Sequence, residues 1–180
     1  MPAELSPTDH HVRHHASRWW LLRDVALVLG VFAVAGVVAG VWWELWWEAP
    51  TGVVVDGAWY PDDTGLRQVF SGTALYTTVA LVGGVLAGAV SAWFVDRVEI
   101  LTLVLVVVGS VLAGWVMLQV GAALGPPDPA VLARSAADGT ALRGSLEVSG
   151  DTALVGFPAG ALLGLVVVFI GLTPTRASRG

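Results

Sequence analysis

Residues 41–50 read VWWELWWEAP. Four tryptophans are interleaved with two glutamates, and a proline closes the stretch. It ends an apolar run from Val25 to Trp43 that as a helix, at about 1.5 Å per residue, crosses a hydrocarbon layer of about 30 Å. Tryptophan suits the edge of that layer, because its ring is apolar while its N–H needs a wet partner. On a helix Trp42 and Trp46 share one face, Trp43 and Trp47 a second about 100° round, and Glu44 and Glu48 a third. The expectation is four rings among lipid headgroups at the outer end of a first span. The carboxylates then point to water, to a partner, or back over the bundle. Pro50 helps end the helix.

The rest of the chain fits the same solvent. It has 180 residues, 56% of them hydrophobic and 13% charged, with a mean hydropathy of +0.75. Soluble domains carry about 25% charged residues. Three further apolar runs follow, Ala74 to Val95, Ile100 to Leu124 and Ala153 to Leu172. The fold expected is an all-α integral membrane protein, a four-transmembrane-helix bundle in one domain. Its spans fall at 23–47, 73–95, 100–124 and 153–173, with an inner turn at 96–99 and tails at 1–22 and 174–180. Outer loops fill 48–72 and 125–152. One competing reading makes Arg18 to Ala35 a signal peptide, with Ala33-Val34-Ala35 as its cleavage site. The apolar run continues through Val37 to Trp43, so an uncleaved span is expected.

Arginine sets the orientation. Arg13, Arg18, Arg23, Arg97, Arg176 and Arg179 lie on one side of these spans, and Arg67, Arg134 and Arg143 on the other. The positive-inside rule then places both termini in the cytoplasm. Trp19, Trp20 and Trp93 form the matching inner anchor.

No Asp, Glu, Lys, Arg or His sits in the middle of a span, whereas ion pathways and proton relays mark themselves with such residues. The spans carry small residues four apart instead: Gly36 and Gly40, Gly84 and Gly88, Ser110 and Gly114, and Gly156, Gly160 and Gly164. Such faces let helix backbones approach closely. Two uses stay open, packing inside the bundle and, for the long ridge on the fourth span, docking of a partner or a second copy.

In the first outer loop Asp56-Gly57, between β-prone runs, signals a two-residue hairpin. In the second, Gly144-Ser145 signals another. Asp128-Pro129 reads as a helix cap and Gly139 as a stop, predicting a short helix over Pro129 to Ala137. Two β-hairpins plus this helix would form a small extracytoplasmic cap. The chain then divides into two similar halves: Ala39-Gly40 matches Ala113-Gly114, and Gly84 and Gly88 match Gly156 and Gly160.

Candidate chemistry is sparse. The absence of cysteine excludes disulfides, thiolate metal sites and cysteine nucleophiles. Glu44 and Glu48 read as a solvated interfacial face, as a paired-carboxylate cation or ligand site, or as partners of Arg67, Arg134 or Arg143. Asp62 and Asp63 join them as the candidates for an enzyme at the outer surface, but no nucleophile–base pair accompanies them. His10 with His14, and His11 with His15, have metal-chelating spacing on a helix, with Asp9 as the one extra ligand nearby. A solvated tail is the plainer reading. No catalytic residue, cofactor site or metal site is assigned, and the chain is expected not to be an enzyme.

From the Trp-Pro end of the first span through FSGTALYTTVALVGGVLAGAVSAWF, residues 70–94, the chain resembles a family of small four-span actinobacterial membrane proteins without an assigned function. The resemblance covers roughly residues 30–172 and implies a bacterial inner-membrane location. The function expected is a non-catalytic accessory or assembly subunit, with the lipid bilayer and another membrane protein or itself as partners and no nucleic acid. The alternative is an oligomeric transporter or channel for an apolar or lipidic solute.

Overall fold

The computed structural model describes residues 9–94, 99–148 and 154–172. The chain is mostly helical. Helix α1 covers Asp9–Trp46, strands β1 and β2 cover Thr51–Val55 and Ala58–Pro61, and α2 covers Asp63–Phe94. Then come α3 (Glu99–Leu124), the short α4 (Pro129–Ala133), β3 (Ala141–Arg143) and α5 (Gly156–Leu172). By length and composition, α1, α2 and α3 are each able to cross a membrane, and α5 is a shorter apolar helix. Branched apolar side chains such as Val34, Leu86, Val108 and Val167 face outward. That pattern belongs to helices solvated by lipid.

Two helices begin well before their apolar runs. The first helix starts at Asp9, inside the stretch expected to be a tail, because no proline or glycine interrupts residues 9–29. The second starts at Asp63 instead of 73. Its first turns survive Gly65 and Gly72 because each accommodates a close neighbour. A Cβ at Gly65 would strike the Thr51 carbonyl, and one at Gly72 the Trp47 indole. The expected inner turn at 96–99 and the tail at 174–180 lie outside the described residues, apart from Glu99, which opens α3.

Helix α1 packs chiefly on α3 and α2 on α5, each pair parallel, with lesser contacts between α1 and α2 and between α3 and α5. Glycine makes the two main interfaces. A Cβ at Gly36 would meet the Ala113 backbone and one at Gly40 the Met117 carbonyl. On the other pair, Gly84 faces the Phe157 carbonyl, Gly160 the Leu81 carbonyl and Gly164 the Val85 carbonyl. Of the two uses left open for the ridge of α5, packing inside the bundle is the one found, because Gly156, Gly160 and Gly164 all face α2. Across these interfaces Gly36 lies against Ala113, and Gly84 lies beside Gly160.

The tryptophan stretch divides. Trp42 and Trp46 stack with centroids 6.1 Å apart and stay exposed. Trp43 turns inward and is fully buried. Its indole donates to the Gly72 carbonyl at 3.2 Å and meets the Tyr76 ring edge-on at 4.9 Å. Tyr76 in turn donates to the Gly114 carbonyl at 3.3 Å, tying α2 to α3. Gly121 leaves room for the Trp43 ring. The expectation of four rings among headgroups thus fails for Trp43, because Gly121 on α3 opens a slot for its ring and the Gly72 carbonyl on α2 accepts its N–H.

The sheet has the order β2-β1-β3, all antiparallel. The turn between β1 and β2 is the predicted Asp56-Gly57, with φ of 51° and 71° as a two-residue hairpin of this kind needs. The second hairpin does not form. Beyond β3, Gly144 donates to the Pro50 carbonyl at 2.7 Å and the chain runs on without turning back. Leu146 then drops into the end of the bundle nearest the sheet, against Gly121 and Gly125. Burial of that leucine takes the place of a second turn. The short helix stops at Ala133 instead of Ala137. Asp128 caps it through the Ala130 N–H at 2.8 Å, and Gly139 adopts φ 81°.

These contacts separate the glycines. Gly160→Val is expected to lower stability by about 1–3 kcal/mol, since its side chain meets backbone. Gly30→Val, with nothing within 4 Å of the added carbon, should leave the thermal midpoint in mild detergent unchanged.

Candidate functional site

The sequence candidates do not converge on one site. Asp62 serves the start of α2. Its carboxylate accepts from the Gly65 N–H at 2.6 Å and from the Thr51 hydroxyl at 2.9 and 3.0 Å. The Thr51 N–H donates to Gln68 Oε1 at 3.3 Å, and the Asp62 N–H to the Thr51 carbonyl at 3.1 Å. An aspartate just before a helix satisfies N–H groups that have no partner within the helix. Here it also staples β1 to α2. The Gly65 N–H, then the Thr51 hydroxyl, hold the Asp62 carboxyl below its ordinary value of 3.8. Asp63 sits in the first turn, where negative charge suits the helix dipole. Asp62 thus has a structural task, and the hydroxyl that it holds, that of Thr51, belongs to the same link between β1 and α2.

Glu44 lies in the last turn of α1, but the helix ends at Trp46 and Glu48 falls beyond it, so the two do not share a helical face as expected; among the described residues neither has an ion-pair partner. The expected alternatives Arg67, Arg134 and Arg143 do not reach them. The histidines at 10, 11, 14 and 15 fall within the first turns of α1, and their side chains lie outside the described residues. Among the described residues no three His, Asp or Glu side chains gather as a metal-binding group.

An apolar concavity was not legible from spacing. Helices α1 and α2 splay on one side of the bundle and leave an open groove of about 1050 Å³. Its walls are almost wholly apolar. Gly30, Val34 and Val38 line it from α1, and Val82, Leu86 and Val90 from α2. Thr78 also lines it, but its hydroxyl donates to the Ala74 carbonyl at 2.9 Å within its own helix. The stacked Trp42 and Trp46 stand at one end. Such a surface can bind hydrocarbon and offers no group for acid, base or nucleophilic chemistry.

The staple carries a pH dependence. A folded-state pKa below the unfolded value means that Asp62 stabilises the fold at neutral pH and that this contribution disappears as pH falls through 3.8 and below. Asp62→Asn should therefore melt below wild type at pH 7, and the gap between the two should close in acid. Thermal scans in detergent across that range check it.

Compared with known proteins, the chain matches no family model, no curated protein and no solved structure.

Proposed function

We propose that the chain is a non-catalytic multi-pass protein of a bacterial plasma membrane. In this reading it has four spans, both termini are cytoplasmic, and the sheet with α4 forms a cap outside. It works as an accessory or assembly subunit through its outer layer and its lipid-facing surface. The observation that carries the reading is the distribution of polarity. Among the described residues the buried polar side chains are Ser91, Thr102 and Ser110, and no charged side chain is buried. A charge-free interior offers an ion or proton no relay. The seventeen residues of α5 reach about 26 Å and lie alongside α2, which supports a fourth span.

The outer sheet supports a partner contact. Val53 pairs with Tyr60 and Ala141, and Val55 with Ala58, on a face turned away from the bundle. Val53, Val55 and Tyr60 are exposed there. An apolar patch at the end of a membrane protein is a site for another protein to cover.

Affinity purification in mild detergent followed by native mass spectrometry tests this. A reproducible complex with another membrane protein is expected, and the Val53→Glu, Tyr60→Glu double variant should lose it. Recovery of the chain as a lone monomer overturns the subunit reading. The groove favours a second reading, an oligomeric carrier of an apolar or lipidic solute, which a homo-oligomer with flux in liposomes would support. Because the chain has no cysteine, single cysteines report topology. An impermeant maleimide applied to intact cells should label Asp138→Cys and spare Arg13→Cys.

A further inference from the structure

We infer that the groove between α1 and α2 holds the acyl chain of an anionic phospholipid, with its phosphate at the mouth bounded by Arg23, Trp19 and Trp93. The inference rests on the membrane-spanning reading above.

One face of α1 runs continuously through this site. Positions 19, 23, 27, 30, 34 and 38 recur at three- and four-residue steps, so they stack on one side of the helix. The groove is lined from Ala26 and Leu27 upward. Arg23 lies one turn below them with its side chain half exposed, and Trp19 lies a further turn below, exposed. On the facing wall Val90 lines the groove, and the exposed Trp93 follows three residues later on the same side of α2. One mouth of an apolar groove therefore carries a guanidinium and two indoles. These groups suit the headgroup level, the first for phosphate and the others for the boundary between chain and water. Neither mouth has a cation among its lining residues; Arg23 lies one turn beyond the Ala26–Leu27 end, whereas the Trp42–Trp46 end is flanked in the chain by Glu44 and Glu48. Charge thus assigns the headgroup to the Arg23 end. A guanidinium has five N–H donors, so the 3.4 Å contact that Arg23 makes with Asp24 Oδ1 is compatible with a phosphate at the same group.

The walls select a chain over a helix. Close packing of a transmembrane helix is favoured where both partners present small residues. At mid-depth Val34 and Val38 project from one wall and Val82 and Leu86 from the other, all exposed. They hold a helix backbone away, while a flexible hydrocarbon threads between them. Gly30 opens the floor, since an added Cβ there meets nothing within 4 Å. It lies seven residues above Arg23, about 10 Å along the axis, at the depth of a chain attached to that headgroup.

Native mass spectrometry of the full chain in detergent tests the assignment with phosphatidylglycerol and phosphatidylcholine of identical chains. Wild type should retain phosphatidylglycerol in preference. Arg23→Ala should reduce that preference about fivefold, the effect of one basic residue near an anionic headgroup, and Arg134→Ala should not. Gly30→Phe fills the groove without striking a neighbour and should lose retention of both lipids. Val82→Trp, from the opposite wall, should do the same, and unchanged circular dichroism in each variant confirms the fold. Equal retention of the two lipids by wild type overturns the proposal, as does full retention by both groove-filling variants. A dimer mass that Gly30→Phe abolishes would overturn it in favour of a second copy. Extraction of wild type from membranes by alkaline carbonate would defeat the membrane-spanning reading itself. If the chain resists carbonate and shows no lipid preference, only the groove assignment falls.

Discussion

Backbone-to-backbone approach at glycine is the constraint on which this bundle depends. In lipid there is little hydrophobic gain from pressing two helices together, because hydrocarbon solvates leucine as well as another leucine does. Helices associate through dispersion, which falls steeply with distance. Gly84, Gly160 and Gly164 remove the side chains that would separate α2 from α5, and Gly36 and Gly40 do the same for α1 and α3. Once these pairs are formed, Trp43, Tyr76 and Phe157 fill the space between them. Their ring edges and one indole N–H then fix the end of the bundle nearest the sheet.

The outer layer follows from that geometry. Trp43 and Gly72 set where α1 and α2 come together, and Asp62 and Thr51 carry the link from α2 to β1. Trp59 donates to the Leu142 carbonyl at 3.2 Å and ties β2 to the strand contributed by the second half. Leu146 closes the layer onto the bundle below. On the side where α1 and α2 diverge no glycine faces a backbone, and the groove is what remains.

Much of this was legible in the sequence. Apolar runs of about twenty residues mark helices because the bilayer has a fixed thickness. Asp56-Gly57 was readable because few residue pairs accept two positive φ angles, and Asp128-Pro129 because cap chemistry is local. Features that depend on a partner helix were not. Nothing between Val41 and Pro50 tells Trp43 from Trp42, since the difference lies in Gly72 and Gly121, far along the chain. Gly144-Ser145 looks like a turn until Leu146 finds a buried site. The glycine ridges were visible, but which helix each one faces was not. The groove is a property of splay between two helices, and composition holds no record of it.

The sheet order imposes a timetable on synthesis. Strand β1 sits in the middle, with β2 on one edge and β3 on the other. The first edge is satisfied within ten residues by a local turn. The second waits until residues 141–143 have left the ribosome, after the whole of α3 and α4 has been made. Throughout that interval β1 presents an open row of N–H and C=O groups, a template for any extended segment nearby. Completing the second half is therefore also the step that protects the first, and a chain stopped after α2 would be left holding a strand with one edge unpaired.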